Sequence, residues 1–335
     1  MNTTRSAILR RLAVVTLILL VLLLAAALLG ISLGSSGVSA GGLFRALTGH
    51  STDDNVLHAI IWRIRLPRVL MAMSVGAALS VGGLVFQALL RNPLAEPYIL
   101  GISGGAAIGA IAGILLGLPH FPGVSLAAFC GSIATLCLIL FMSSGRSLLN
   151  KESLLLSGVM VNAFCSAIIM FLVSLTQDAR LHNIIFWLMG DLGQGDIYQA
   201  GVLMAILLPC FGIIFRYSNT MNLLLMGKEL AQTTGVNIMR VTVILLIVTS
   251  FMVSATVSQC GLIGFVGLVV PHILRLILGP DHRVLVPACL LGGSTYMVLC
   301  DVLSRTLPRQ GEMPVGVITA MIGAPLFIIL LKRSN

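Results

Sequence analysis

GAALSVGGLVFQALLRNPLAEPYILGISGGAAIG, residues 76–109, is the stretch whose reading decides the fold. An uncharged run rich in glycine and alanine reaches Leu90 and stops at Arg91-Asn92-Pro93; after Glu96-Pro97 a second uncharged run begins. Proline ends helices, and such a cluster marks a turn, so the stretch reads as two membrane-crossing helices joined by a hairpin. The same alternation continues along the chain. It is 58% hydrophobic and 9% charged, with a mean hydropathy of +1.06, whereas a soluble domain carries about 25% charged residues. Most apolar blocks approach or exceed the ~20 residues that a helix needs to cross ~30 Å of hydrocarbon. The alternating segments of a β-barrel are absent. The chain reads as an all-α integral membrane protein.

Ten spans are predicted, at about 12–31, 68–90, 98–117, 124–142, 153–176, 197–215, 240–259, 262–278, 284–303 and 315–331. The first exceeds the 7–15 apolar residues of a signal peptide and reads as a retained helix. Orientation follows from the basic residues. With the N-terminus inside, 13 of the 20 Lys and Arg fall in cytoplasmic segments, and both termini are then cytoplasmic. Seven stand outside: Arg45, Arg63, Arg65, Arg68, Arg180, Arg305 and Arg309. The net charge of +9 is accounted for by anionic lipid headgroups, with no nucleic-acid partner.

Ten of the eleven acidic residues fall in loops or at span ends, and only Asp301 lies inside a predicted span. Ion-coupled transporters and pumps place carboxylates at membrane depth, which argues against that class. No catalytic constellation is apparent. The seven cysteines are scattered, the six histidines form no ligand pair, and no metal or other cofactor is implied. A G-x-x-x-x-G-K-[ST] loop is missing, since Gly227-Lys228 is followed by Glu229. Any ATPase must be a separate polypeptide. In the third span Gly101, Gly105, Gly109, Gly113 and Gly117 recur every four residues. They make one small-residue face, whose main reading is close helix packing and whose lesser reading is the lining of a substrate path.

One island resembles the surface of a soluble protein: RYSNTMNLLLMGKELAQTTGVNIMR, residues 216–240. Gly227 to Thr234 suits a short helix, with Gly235 where a left-handed residue commonly ends one. Gly227, Ala231 and Thr234 then share a face of low relief. Such a face suits the groove of another protein; a helix lying on lipid favours aromatics and several lysines.

These motifs resemble one family. RLPR (65–68), residues 76–109, GKELAQTTGV (227–236), GLIGFVGLVVPHILRLILGPDHRVLVP (261–287) and PVGVITAMIGAPLFIILLK (314–332) are similar, in this order, to the permease subunits of type II ATP-binding-cassette importers. The resemblance implies that fold, with about ten transmembrane helices and residues 1–335 as a single permease domain carrying a cytoplasmic coupling loop at about 216–240. It implies a bacterial inner-membrane homodimer, two ATPase subunits, a periplasmic binding protein, and cargo such as iron-siderophore, haem or cobalamin. It assigns ATPase coupling to Gly227, Glu229, Ala231, Thr234 and Gly235, and docking of the binding protein to Arg65, Arg68 and Arg305, for which headgroup anchoring is the plainer alternative. Gating falls on Asn92 and Leu94 and on Lys151 and Glu152, where this chain has an opposite-charge pair in place of small hydroxyl residues. Gly105 and Gly109 are the pathway candidates of the glycine face. The competing readings are an ion-driven transporter or facilitator, an importer of a small oxyanion such as molybdate, and a membrane-embedded enzyme or scaffold.

Overall fold

The computed structural model describes residues 2–33, 55–143, 151–176, 178–226, 237–308 and 311–334. These are helical, with no strand among them. Seven helices are long and apolar enough to cross a membrane, and three shorter apolar ones, Ile102–Leu115, Val266–Leu278 and Val315–Ile329, accompany them. The ten fall on the ten predicted spans.

In chain order, α1 is Asn2–Ser32 and α2 is Asn55–Ile60, which runs through a π-helical turn, Ile61–Arg65, into α3, Leu66–Leu90. A 3-10 turn, Pro97–Leu100, precedes α4, Ile102–Leu115; α5 is Ser125–Ser143, α6 Lys151–Ser174, α7 Asp178–Met189, α8 Ile197–Arg216 and α9 Ser218–Met226. Then follow α10, Ile238–Cys260, α11, Val266–Leu278, α12, His282–Thr306, and α13, Val315–Ser334. Two short helices lay beyond the periodicity argument, because α7 and α9 are too short and too polar to read as spans.

The centre of the molecule is α3. Pro67 lies in its first turn, directly after the π-helical turn, and nearly every residue from Met71 to Leu90 is buried. It packs against α8, α10, α11 and α12. Lipid tails supply no hydrophobic drive for helix association, so close backbone contact must. A Cβ on Gly76 would collide with the Gly293 carbonyl of α12, and one on Gly83 with the Gly267 carbonyl of α11.

Two stretches of irregular backbone meet beside α3. The chain turns at Arg91, which takes a left-handed φ of 50°, and Pro97 returns to the level of Gly82. That is eight residues before the end of α3, or about 12 Å of helix rise. From the other direction α10 passes Gly82 at Val253 and ends at Cys260. Residues 261–265 then double back so that α11 begins level with Gly83. Thus α4 and α11 are shorter than predicted, each starting at depth.

The glycine face of α4 lies against α5. A Cβ on Gly105 would collide with Thr135 and the Gly131 carbonyl, and one on Gly109 with the Ala127 carbonyl. Both glycines thus lie in a close helix contact, the main reading of this face. Gly109→Leu should overpack it, costing roughly 1–3 kcal/mol or more and lowering the folded yield in detergent. Gly201→Ala, at a glycine with open space around it, should leave that yield unchanged.

Candidate functional site

At one end of the molecule the arginines that the family resemblance selects come together, but not on the surface. Arg65, Arg68 and Arg305 are 4%, 4% and 7% exposed, and Asp301 is fully buried. Arg68 donates from Nε to Asp301 Oδ1 at 2.7 Å, and from Nη1 to Glu312. Arg305 Nη2 lies 2.8 Å from Asp301 Oδ2, an ion pair by distance rather than an aligned hydrogen bond. Both Nη atoms of Arg305 also donate to the Gly30 carbonyl at 3.2 Å, and Arg65 Nη1 donates to the carbonyls of Ile31 and Ser32 at 2.8 Å.

The last carbonyls of a helix have no partner within it, and the helix dipole makes that end negative. Here α1 has no basic residue in its last turn, and the cations come to it from the π-helical turn before α3 (Arg65) and from α12 (Arg305). The three guanidinia do not stand as an exposed ring: all are buried in the subunit, and Arg65 and Arg305 fasten the end of α1. Arg68 keeps one exposed neighbour, Glu312, whose side chain is 51% exposed.

At mid-depth the two irregular stretches satisfy each other. Glu96 Oε1 accepts from the Phe265 N–H at 3.0 Å, and Tyr98 Oη both donates to the Ile263 carbonyl at 2.9 Å and accepts from its N–H at 3.3 Å. Gln87 donates to the Gly267 carbonyl and accepts from Arg275 Nη2 at 2.9 Å. The sequence argument set Glu96 in the hairpin between two spans, and this is corrected: its side chain reaches the start of α11, where it accepts from the Phe265 N–H.

At the opposite end, Asn92 Oδ1 accepts from the Leu94 N–H at 2.9 Å, a local turn that presents Leu94, 43% exposed. Beside it an apolar cavity of about 140 Å³ is lined by Phe86, Arg91, Leu154, Leu224 and Leu246. It joins the 91–97 hairpin to the first turn of α6 and to α9. The helix α6 starts at Lys151, and the side chains of Lys151 and Glu152 lie outside the described residues. So do residues 227–236, with Gly227, Glu229, Ala231, Thr234 and Gly235.

What leads into that stretch is well tied. Asn222 of α9 donates to Asp281 Oδ1 and accepts from the His282 N–H, both at 2.8 Å, and its Oδ1 also lies 2.8 Å from His282 Nδ1. Burial would raise the Asp281 carboxyl, but hydrogen bonds from Arg283 and Asn222 hold it at about 2, so it is charged throughout the range in which cells live. Asn222 thus couples α9 to the α11–α12 turn, a role no sequence signal marked.

Residues 19–333 match the FecCD transport family. The chain belongs to that family. It is 42% identical over 276 residues to the vitamin B12 import system permease protein BtuC of Salmonella arizonae, covering 82% of this chain and 83% of that one. It is 40% identical over 312 residues to the hemin transport system permease protein HmuU of Yersinia pestis, covering 91% and 92%. Among solved structures it is similar to a metal-chelate type ABC transporter in an inward-facing conformation, with a TM-score of 0.85 and 32% identity over 95% of this chain and 98% of that one. A FecCD chain is a permease, a transport subunit and not an enzyme.

Two of these arginines, Arg68 and Arg305, thus share one acid, Asp301. Asp301 and Arg305 stand four apart, a spacing that pairs side chains on one helix face and was legible. The pairing with Arg68, 233 residues away, was not. Asp301→Ala leaves two buried cations without their shared anion, and breaking a buried pair from one side costs about 3–5 kcal/mol. The expected result is a clearly lowered thermal unfolding temperature in detergent; an unchanged one would count against the network.

Proposed function

We propose that this permease forms, with a second copy of itself, the membrane path of an ATP-driven importer in the bacterial inner membrane. The observation that carries this reading is the family match over residues 19–333, supported by relatives named for vitamin B12 import and hemin transport. The cargo is a metal chelate, with cobalamin, haem and iron-siderophores as the class. Both termini face the cytoplasm. The end carrying Asn92, Leu94 and α9 then meets two ATPase subunits, and the end carrying Arg68 meets a periplasmic binding protein.

Residues Gly227, Glu229, Ala231, Thr234 and Gly235 form the coupling element in this reading. Closure of the ATPases reaches the membrane helices through α9 and Asn222, which grips the α11–α12 turn. Gating falls to the 91–97 hairpin, with Leu94 as its apolar tip and the start of α6, at Lys151 and Glu152, as its neighbour.

Glu96 gives the ion-driven reading a foothold, because such a mechanism needs a carboxylate at depth, and the fully buried Asp301 is shared by two arginines. The hydrogen bond of Glu96 to the Phe265 N–H favours a structural duty. Uptake by proteoliposomes holding permease and ATPase separates the two. ATP-driven uptake should survive collapse of the membrane potential and persist in Glu96→Gln; loss in both conditions would establish ion coupling. Ala231→Arg should abolish uptake and ATPase co-purification while binding-protein docking continues. Normal co-purification in that variant would refute the coupling assignment.

A further inference from the structure

Arg68 is held from two sides by unlike partners. Beneath it stands Asp301, fully buried and shared with Arg305; above it stands Glu312, half exposed. Of these four groups two are cations, and Asp301 neutralises one. Glu312 supplies the second negative charge from the solvent side. The chain is pinned just beyond it, where the Met313 N–H donates to the Ser304 carbonyl at 3.1 Å, and Gly311 before it takes a φ of +72° that suits glycine. Glu312 can therefore swing out as a local motion that leaves α12 and α13 in place.

We infer that Glu312 occupies, in the resting subunit, the position that a carboxylate of the docking partner takes over, so that docking is an exchange of one carboxylate for another on Arg68. The guanidinium carries five donors in a planar fork. With Nε committed to Asp301, its outward edge stays aimed while the outer partner changes. This accounts for how a buried arginine takes part in docking: its lid is one exposed side chain of its own chain. It also makes Glu312 a brake, because every incoming carboxylate competes with a tethered one. Glu312 is half exposed, so water takes up its carboxylate as it leaves while the incoming carboxylate restores the partner of the buried Arg68.

The inference rests on the docking reading of Arg68 proposed above, and the experiment separates the two. The permease–ATPase complex in lipid nanodiscs is immobilised, and association of the cognate binding protein is followed at low and high salt for wild type, Glu312→Gln and Arg68→Lys. Glu312→Gln removes the competitor while keeping side-chain size. It should raise the association rate roughly 2- to 5-fold at low salt, with a smaller gain at high salt, where screening weakens attraction. Arg68→Lys retains the charge beside Asp301 but lacks the fork, and should slow association. If Arg68→Lys slows association and Glu312→Gln is unchanged or slower, the exchange is overturned while docking at Arg68 stands. If Arg68→Lys associates like wild type, the docking reading fails and the exchange with it.

Discussion

Hydrocarbon offers no water to an unpaired backbone group, so every peptide N–H and C=O at membrane depth must find its partner inside the protein. That constraint governs the centre of this permease. Residues 91–101 and 261–265 leave helical geometry beside Gly82 and Gly83 of α3. They are possible there because Glu96, Tyr98 and Gln87 supply the missing partners. Gly82 and Gly83 admit Pro97 and the Gly267 backbone closely enough for those bonds to form. Small residues and polar side chains thus act as one device: the first bring irregular backbone against α3, and the second satisfy it.

The arginine end obeys the same rule for charge. An isolated buried charge is costly, and a buried pair is tolerable only when fully partnered. Three guanidinia remain because Asp301, Glu312 and the terminal carbonyls of α1 together take up their donors. The basic residues that break the positive-inside trend are in part a clasp holding the peripheral α1 onto α12 and α3. At the other end an amide, Asn222, fastens α9 to the turn at Asp281 and His282.

Much of this was legible in the sequence, and the exceptions share a cause. Ten spans follow from apolar length alone, and the glycine face of α4 follows from its four-residue repeat. Local chemistry showed where helices stop, at Arg91 and Gly279, but not how deep the next one starts. Depth depends on contacts such as Gly83 with Gly267, which are 184 positions apart. For the same reason Glu96 read as a hairpin acid, and Arg65 and Arg305 read as exposed. Charge and position along the chain cannot tell a docking group from a buried clasp whose anion lies on another helix. The amphipathic α7 and α9 were missed because length was the criterion for a span.

In the proposed homodimer the 91–97 hairpins move in response to nucleotide. Spin labels at Leu94→Cys, with the exposed Cys130 and Cys137 replaced, measure the distance between the two copies in the assembled complex. The account predicts one well-defined distance that changes when the ATPases are trapped with ATP. No dipolar coupling between the labels, or a distance indifferent to nucleotide, would contradict it.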